Sequence, residues 1–450
     1  MKRSHPSTEI YDIVGIGFGP ANIALAIALE ELHPDKSFRF VDSQKQIVWQ
    51  NEMLFENALD VYSNIQNSPH RDLATPRNPR SRYSFLNYLH ENGLFWTQLN
   101  LNMSMPLRPD FANYIAWVAE NFRDHFIGGT WVTGIEPRGD HYAIKCDNGP
   151  ELLARHVVLG TGRPPQIPEQ FQDITNPNCI HFTKYNSSID AMVAGNAKRI
   201  AIVGSSQTAA EIVLHLTKMH PQVEVDVIMR RFGFPLKDTT PFVSEIYFPE
   251  FTDLYFNSSE AMKRRIDRDV YGTNYGTADE DVIQEIYQQI YYDKLAGRNK
   301  LELHRLSEIN NVRDKGGKIE ITINDRMHTR TFDKAYDGVI LATGFVNYGP
   351  HPHNQKIPNL LQPLQHLLQL ERGAVSVGRK YDLALTPEAP GKILMNGLCE
   401  VTHGMGDAGS ISLMSLRAAE IASKAFEPAD SADPATALGD ADTELHPVIA

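Results

Sequence analysis

Two strand–turn–helix units, each opening on a run of small residues, constrain this chain more than any other feature. In the first, Tyr11–Val14 reads as a short buried strand, Gly15-Ile16-Gly17-Phe18-Gly19-Pro20 as a tight turn, and Ile23–Leu32 as a helix. Glycines let a strand turn sharply into a helix and let backbone approach a pyrophosphate, which rests on the helix N-terminus. Pro20 stands where a third small residue is expected, and its missing N–H is no loss in a first helical turn. The next strand, Phe38–Val41, ends in Asp42, an acid suited to ribose hydroxyls and hostile to a 2′-phosphate.

The pattern recurs. Arg199–Val203 is a strand, Gly204-Ser205-Ser206-Gln207-Thr208 a turn, and a helix follows through about Met219. The second strand of this unit, Val223–Met229, ends in Arg230 and Arg231 instead of an acid. Guanidinium groups suit a 2′-phosphate, so the first cradle reads as an FAD site and the second as an NADPH site. The strands Val157–Leu159 and Gly338–Ala342 both break at small triplets, Gly160-Thr161-Gly162 and Thr343-Gly344-Phe345. They bracket the second cradle, as expected if the NADPH domain is inserted into the FAD domain, and Gly160–Pro165 then reads as a hinge.

The expected fold is therefore α/β, with two Rossmann-like dinucleotide-binding domains, one nested in the other, plus a small helical substrate segment. The boundaries expected are 1–165 and 346–426 for the FAD domain and 195–345 for the NADPH domain. The helical segment falls at 236–298, where Ile283, Ile286, Ile290 and Tyr291 recur at helical spacing. Residues 427–450 carry acids and prolines but no Lys or Arg, and read as a disordered acidic tail.

Composition narrows the chemistry. A formal charge of −12 argues against a nucleic-acid partner. No apolar run is long enough for a membrane span, and Lys2 and Arg3 have no apolar stretch behind them, so no secretory signal is expected. Three scattered cysteines suit a reducing compartment, and the chain is expected to be cytoplasmic. No His-rich helical motif supports a metal, and none is expected. A reductase of this architecture relays electrons through a redox C-x-x-C, which the chain lacks. Reduced flavin then hands its electrons to dioxygen, the route of a monooxygenase.

At this point the residues carry a resemblance. Val14–Asn22, Ile65–Pro79, Tyr83–Leu89, Gly204–Glu211, Thr240–Tyr247, Thr273–Tyr275, Asp337–Phe345 and Thr402–Met405 resemble, in the same order, the flavin-dependent N-hydroxylating monooxygenases. These are the ornithine and lysine N-hydroxylases of hydroxamate siderophore synthesis. The resemblance implies an NADPH-reduced FAD, a flavin hydroperoxide kept from water, and oxygen transfer to a primary amine. It places Gln66 beside flavin and nicotinamide, Gln207 and Thr208 with Ser206 on NADP, and Asn274 at the substrate or the reacting oxygen. Trp49, Thr343, Gly344, His403 and Gly404 join the cofactor-binding set. Arg71, Ser244, Ser410 and Ser412 join Asn274 as substrate-binding candidates. The expected partners are a small amine and dioxygen, with a homo-oligomer, dimer or tetramer, as the assembly.

Two departures bear on the substrate. Ornithine hydroxylases read Phe-Leu-Lys-Asp where this chain has Pro69-His70-Arg71-Asp72, and Arg71 keeps the cation that grips a carboxylate. The family's asparagine in Phe-Val-Asn-Glu is Ser244 here. Ornithine or lysine is the first expectation, a diamine such as putrescine or cadaverine the alternative, and an NADPH oxidase or reductase the rival of another class. Plainer readings of single residues also stand. Arg71 with Asp72 fits a structural ion pair and Asn274 a turn cap. His403 fits a satisfied hydrogen-bonding histidine, and Trp49 a pocket wall or core residue.

Overall fold

The computed structural model describes residues 9–55, 67–103 and 105–428. Gln66 and nearly all of the acidic C-terminal stretch lie outside these residues.

Two sheets organise the chain. The first runs in the order Phe126–Ile127, Phe38–Val41, Ile10–Ile16, Leu152–Leu159, His141–Cys146, Val132–Arg138, with Ile393–Met395 also paired to Leu152–Leu159. Its Ile10–Ile16 strand is parallel to both neighbours, in a register that sets Gly15 beside Phe40 and Val158. The second sheet is wholly parallel, in the order Leu301–His304, Glu224–Ile228, Arg199–Val203, Gly338–Leu341, Cys179–His181. The central strands of both sheets are near-continuous apolar runs, as expected of parallel strands covered on both faces.

The helix Pro20–Leu32 is buried almost all round, packed in one core with the last helix, Met414–Phe426. In the second sheet, Gln207–Met219 covers one face. A three-stranded antiparallel sheet (Ser307–Lys315, Lys318–Asp325, Arg330–Tyr336) covers the other, through Ile319, Ile321 and Ile323.

The chain leaves the first sheet after Leu159 and returns to it only at Ile393. The outgoing and returning connections bond to each other, Gln166 N–H to Gly344 C=O and Val346 N–H to Pro164 C=O, both at 2.9 Å. The Gly160–Pro165 stretch that sequence alone suggests as a hinge is thus braced. The 236–298 stretch also divides. Its last helix, Glu280–Leu295, buries Val282 and Ile286 in the core of the second sheet. Tyr291, read with them as part of the apolar stripe, is exposed. The turn Val243–Tyr247 and the helices Pro249–Asn257 and Glu260–Val270 precede it.

A buried ion pair joins the two domains away from the connections. Arg108 opens the helix Arg108–Glu120 and donates from Nη1 and Nη2 to the two carboxylate oxygens of Glu211, at 2.8 and 3.0 Å. The Glu211 side chain keeps 1% of its surface. Removing one partner of such a pair strands a buried charge, so Arg108→Ala is expected to cost about 3–5 kcal/mol of unfolding free energy. The shift of the denaturant midpoint measures it. Arg108→Lys, which keeps the charge without the two-point grip, should fall between Ala and wild type.

Candidate active site

Both glycine turns are built alike. Gly17 ends the first strand with φ +88°, and a Cβ there would lie 2.4 Å from the Gly160 carbonyl oxygen. Gly204 ends the second unit's first strand with φ +139°, and a Cβ would lie 2.5 Å from the Ala342 carbonyl oxygen. Each turn is pressed against the end of the neighbouring parallel strand, where only glycine fits. The N-cap residues are Gly19 and Ser206, and neither helix has a side-chain cap. Unsatisfied N–H groups at such an end are suited to a phosphate.

This geometry corrects the frame read from sequence. The small-residue positions are Gly17, Gly19 and Asn22, matched by Gly204, Ser206 and Ala209, so Pro20 is the first helical residue and not the third position. Gly15 lies within the strand, and packing alone accounts for it: a Cβ there would meet the Phe40 ring at 2.3 Å. Asn22 takes the third place, and its buried amide donates to the Gly17 carbonyl at 2.7 Å.

Asp42 stands at the end of Phe38–Val41 as expected, half-buried. Its carboxylate accepts from Phe18 N–H at 2.7 Å and Gln44 N–H at 2.8 Å, fixing the first turn. Trp49 is a partly buried wall residue, edge-on to Phe111. Ser206, Gln207, Thr208, Arg230, Arg231, Asn274, Thr343 and Gly344 all line one cleft of about 1380 Å³. That exceeds the roughly 300–1,000 Å³ of ordinary small-molecule pockets, as a dinucleotide requires. Arg230 and Arg231 are exposed and have no carboxylate partner among the described residues. Lys237, which sequence reading passed over, lines the same cleft.

Gln207 faces the cleft with its amide already engaged: Nε2 donates to Glu211 at 2.9 Å and Oε1 accepts from Asp279 N–H at 2.8 Å. It holds the turn around Asp279 in place at the edge of the cleft. His403 is a correction. It is fully buried and stacked on Tyr381 at 4.3 Å. Thr402 Oγ1 donates to its Nδ1 at 2.8 Å and its Nε2 donates to the Arg379 carbonyl at 2.9 Å. Both nitrogens are spent on the protein, so His403 has none for a cofactor. Gly404, with φ +86°, is packed against the Tyr255 ring.

The substrate candidates gather around residues 409–412. Ser410 Oγ donates to Ser412 Oγ at 2.9 Å, Ser412 Oγ to Asn67 Oδ1 at 3.1 Å, and Asn67 Nδ2 to the Arg71 carbonyl at 2.9 Å. The Arg71 guanidinium lies over the Tyr247 ring, 5.7 Å away, in the turn that carries Ser244. Burial pushes the Tyr247 hydroxyl up to about 12, against the opposing effect of Arg71, so it stays protonated. The Arg71–Asp72 ion pair is not formed. Asp72 is buried under the N–H groups of Ala74, Thr75 and Phe85. Asn274 follows the Tyr271–Thr273 turn, and its N–H bonds Tyr271 C=O. Its Nδ2 lies 3.2 Å from where a Gly409 Cβ would stand.

One group of metal-ligand types exists among the described residues, Asp226, Glu302 and His304. Lys334 Nζ sits 2.6 Å from both carboxylates and supplies the positive charge itself. Sequence reading also missed four cleft residues, Arg163, Tyr275, Asn347 and Glu400. Two signals lay in view, since Arg163 follows Gly162 and Tyr275 follows Asn274.

Two sheets, each with parallel strands ending in a glycine turn and an uncapped helix, define a two-dinucleotide oxidoreductase. The chain belongs to the L-lysine 6-monooxygenase/L-ornithine 5-monooxygenase family, whose model matches residues 9–347. It is 35% identical over 413 residues to an L-ornithine N(5)-monooxygenase of Burkholderia cepacia, covering 88% of this chain and 90% of that one. The ornithine hydroxylase structure of Pseudomonas aeruginosa superposes with a TM-score of 0.84 at 31% identity, over 93% of this chain and 99% of that one. An ornithine N-hydroxylase of Kutzneria sp. 744, solved with reduced FAD, NADP⁺ and L-ornithine, matches at 0.84 and 29% over the same shares.

The buried histidines set an acid limit on the fold. Burial holds His403 and His181 down to about 4, from an ordinary 6.5. Both are neutral in the fold, whereas the unfolded chain takes up their protons below about pH 6.5. Their contribution is complete above that pH and is lost as pH falls towards 4, on the order of 3 kcal/mol for a fully buried ring. A thermal unfolding series should show the midpoint falling across this window, and less steeply in His403→Gln.

Proposed function

We propose that the chain N-hydroxylates the side-chain primary amine of a small amino acid, L-ornithine first and L-lysine second, in hydroxamate siderophore synthesis. FAD is the resident cofactor and NADPH the reductant, and the bound flavin supplies the activation of dioxygen. The residues present fit both nucleotides. Gly17, Gly19 and the Pro20–Leu32 N-terminus form the first cradle with Asp42 at the ribose. Gly204, Ser206 and the next helix form the second, with Arg230 and Arg231 for the 2′-phosphate.

The observation that carries the substrate class is Arg71. Its guanidinium has no carboxylate partner among the described residues, and it stands beside the Ser244 turn and the Ser410–Ser412–Asn67 chain. An amino-acid carboxylate satisfies that cation, whereas a diamine brings a second positive charge towards it. At the other end the amine must be neutral to attack. For a group of ordinary pKa near 10, that costs about 5 kcal/mol at pH 7. Desolvation of the amine on binding disfavours the ammonium and reduces this cost, and Asn274, lining the cleft, is placed to orient the amine.

The chain works in a reducing cytoplasm, consistent with three free cysteines. Among the described residues no helix is long and apolar enough to cross a membrane. The functional unit is a homo-oligomer. The helix Phe95–Leu101 buries no residue and exposes Trp96, Leu99 and Leu101, and Tyr287, Tyr291 and Leu295 form a second exposed stripe at one-turn spacing.

Incubation of the FAD-loaded protein with NADPH and ornithine, lysine, putrescine or cadaverine, scored by hydroxylamine formed, tests the reading. Turnover of cadaverine without ornithine would overturn the ranking, and peroxide accounting for all NADPH with every amine would overturn the monooxygenase reading itself. Arg71→Ala should raise the amino-acid KM by about tenfold or more and leave the rate of flavin reduction by NADPH near wild type. Replacing Arg230 and Arg231 together by Ala should cut the preference for NADPH over NADH by about tenfold or more, read as the ratio of the two kcat/KM values.

A further inference from the structure

The most tightly knit polar group facing the cleft joins four separate segments. Arg163 belongs to the outgoing connection, Asn347 to the returning one, Tyr275 to the turn bearing Asn274, and Glu400 to the short helix Glu400–His403 after the first sheet is rejoined. Arg163 Nη1 donates to Asn347 Oδ1 at 2.7 Å, Tyr275 Oη at 3.0 Å and Glu400 Oε2 at 3.0 Å. The Tyr275 hydroxyl donates to the same carboxylate oxygen, and Asn347 Nδ2 donates to Glu400 Oε1 at 2.9 Å. The guanidinium also lies over the Phe345 ring at 5.6 Å. The Arg163 and Glu400 side chains keep only 18% and 11% of their surface.

We propose that Arg163, Tyr275, Asn347 and Glu400 form a positioning clamp for the N-hydroxylation, holding the Asn274 turn against the 409–412 loop and fixing the two sheets at one angle. The proposal rests on the monooxygenase reading above. Three observations carry it. The clamp's four members come from the two inter-sheet connections, the Asn274 turn and the Glu400–His403 helix that leads into the 409–412 loop. Glu400 Oε2 and Asn274 Nδ2 each lie 3.2 Å from the same point, the position of a Gly409 Cβ, so clamp and substrate candidates meet at one place. And Glu400 is already engaged by three donors, which suits a fixed anchor and not a proton acceptor for the amine.

A buried charged group is weak evidence for stability alone, because desolvation offsets much of its attraction. Its use here is geometric. A misplacement of about 1 Å in a reacting centre can cost on the order of a hundredfold in rate. The clamp is a set of positioning residues: it acts on the amine through Asn274 and the 409–412 loop that meets it.

The test compares Glu400→Gln, Arg163→Gln, the double variant and Tyr275→Phe with wild type. Three readouts are taken: hydroxylamine formed per NADPH, amine KM against the rate of NADPH oxidation, and deuterium uptake at residues 163–166 and 271–277 in protein without added NADPH or amine. Each single charge variant should lower hydroxylamine per NADPH and raise amine KM by about tenfold, with NADPH oxidation within about twofold of wild type. Exchange at both segments should quicken, and the double variant should be no worse than the worse single one, because the pair acts as a unit. Tyr275→Phe, which keeps the direct Arg163–Glu400 contact, should fall between. The clamp is overturned if exchange at both segments is unchanged, or if coupling and amine KM stay within about twofold of wild type in both single charge variants. A loss of turnover that merely follows lost flavin, at unchanged coupling, overturns it too. If wild type hydroxylates no amine, the parent reading fails, and the exchange readout still decides whether the clamp holds the two segments.

Discussion

The two connections between the sheets are the constraint on which the rest depends. One leaves the C-terminal end of Leu152–Leu159 and the other follows the C-terminal end of Gly338–Leu341, and they bond to each other across Pro164–Gln166 and Gly344–Val346. Ligands of open parallel sheets bind outside the carboxyl ends of the strands. Tying those two connections together therefore sets the carboxyl edge of one sheet beside that of the other. The nearness of two nucleotides is then a consequence of topology, and the entropy of bringing them together is met on folding.

The first domain is discontinuous, and buried polar contacts hold its parts together. Asn22 Nδ2 donates to the Gly17 carbonyl, Asn396 Nδ2 to Asn22 Oδ1 at 3.0 Å, and Arg417 Nε to Asn396 Oδ1 at 3.0 Å. Arg417 continues to the Asp407 carbonyl, and the Tyr381 hydroxyl donates to the Asp407 carboxylate at 3.1 Å. A buried network of this kind is orientation-specific where apolar packing is not, even though Asp407 Oδ2 and Arg417 Nη2 have no hydrogen-bond partner among the described residues. It links the glycine turn to residues nearly four hundred positions away and reaches Asp407, four residues beyond His403. His403 stacks on the same Tyr381, which explains why a histidine that looks like a cofactor ligand serves the fold instead.

Strands, helices and the acid-versus-arginine contrast at Asp42 and Arg230–Arg231 were legible because each is local: apolar runs, small-residue turns and a charge at a strand end. What failed was whatever depends on contacts between distant segments. The run Gly15-Ile16-Gly17-Phe18-Gly19 contains three alternating glycines, and only the close approach of the Gly160 carbonyl shows that Gly17 is the turn and Gly15 part of the strand. Gln207 is a small-turn neighbour in sequence, and its engagement by the Asp279 N–H is set by a helix that arrives later. Helix Glu280–Leu295 has the period of a substrate-segment helix, and nothing in that period says which core it covers. The Arg163–Glu400 pair spans 237 positions and has no signature in spacing.

The same architecture separates the resident nucleotide from the exchanging one. The first cradle's helix, Pro20–Leu32, is enclosed by Met414–Phe426 in the largest core of the chain, and its acid already bonds the Phe18 amide of the turn. The cradle there is built of parts contributed from both ends of the chain. The second cradle is different. Arg230 and Arg231 are exposed, stand at a strand end without carboxylate partners among the described residues, and border a wide cleft. Exposed cations attract a phosphorylated ligand without enclosing it, so binding is quick and reversible. A resident FAD in the first site and a visiting NADPH in the second is thus the assignment that burial favours together with the charges at the strand ends.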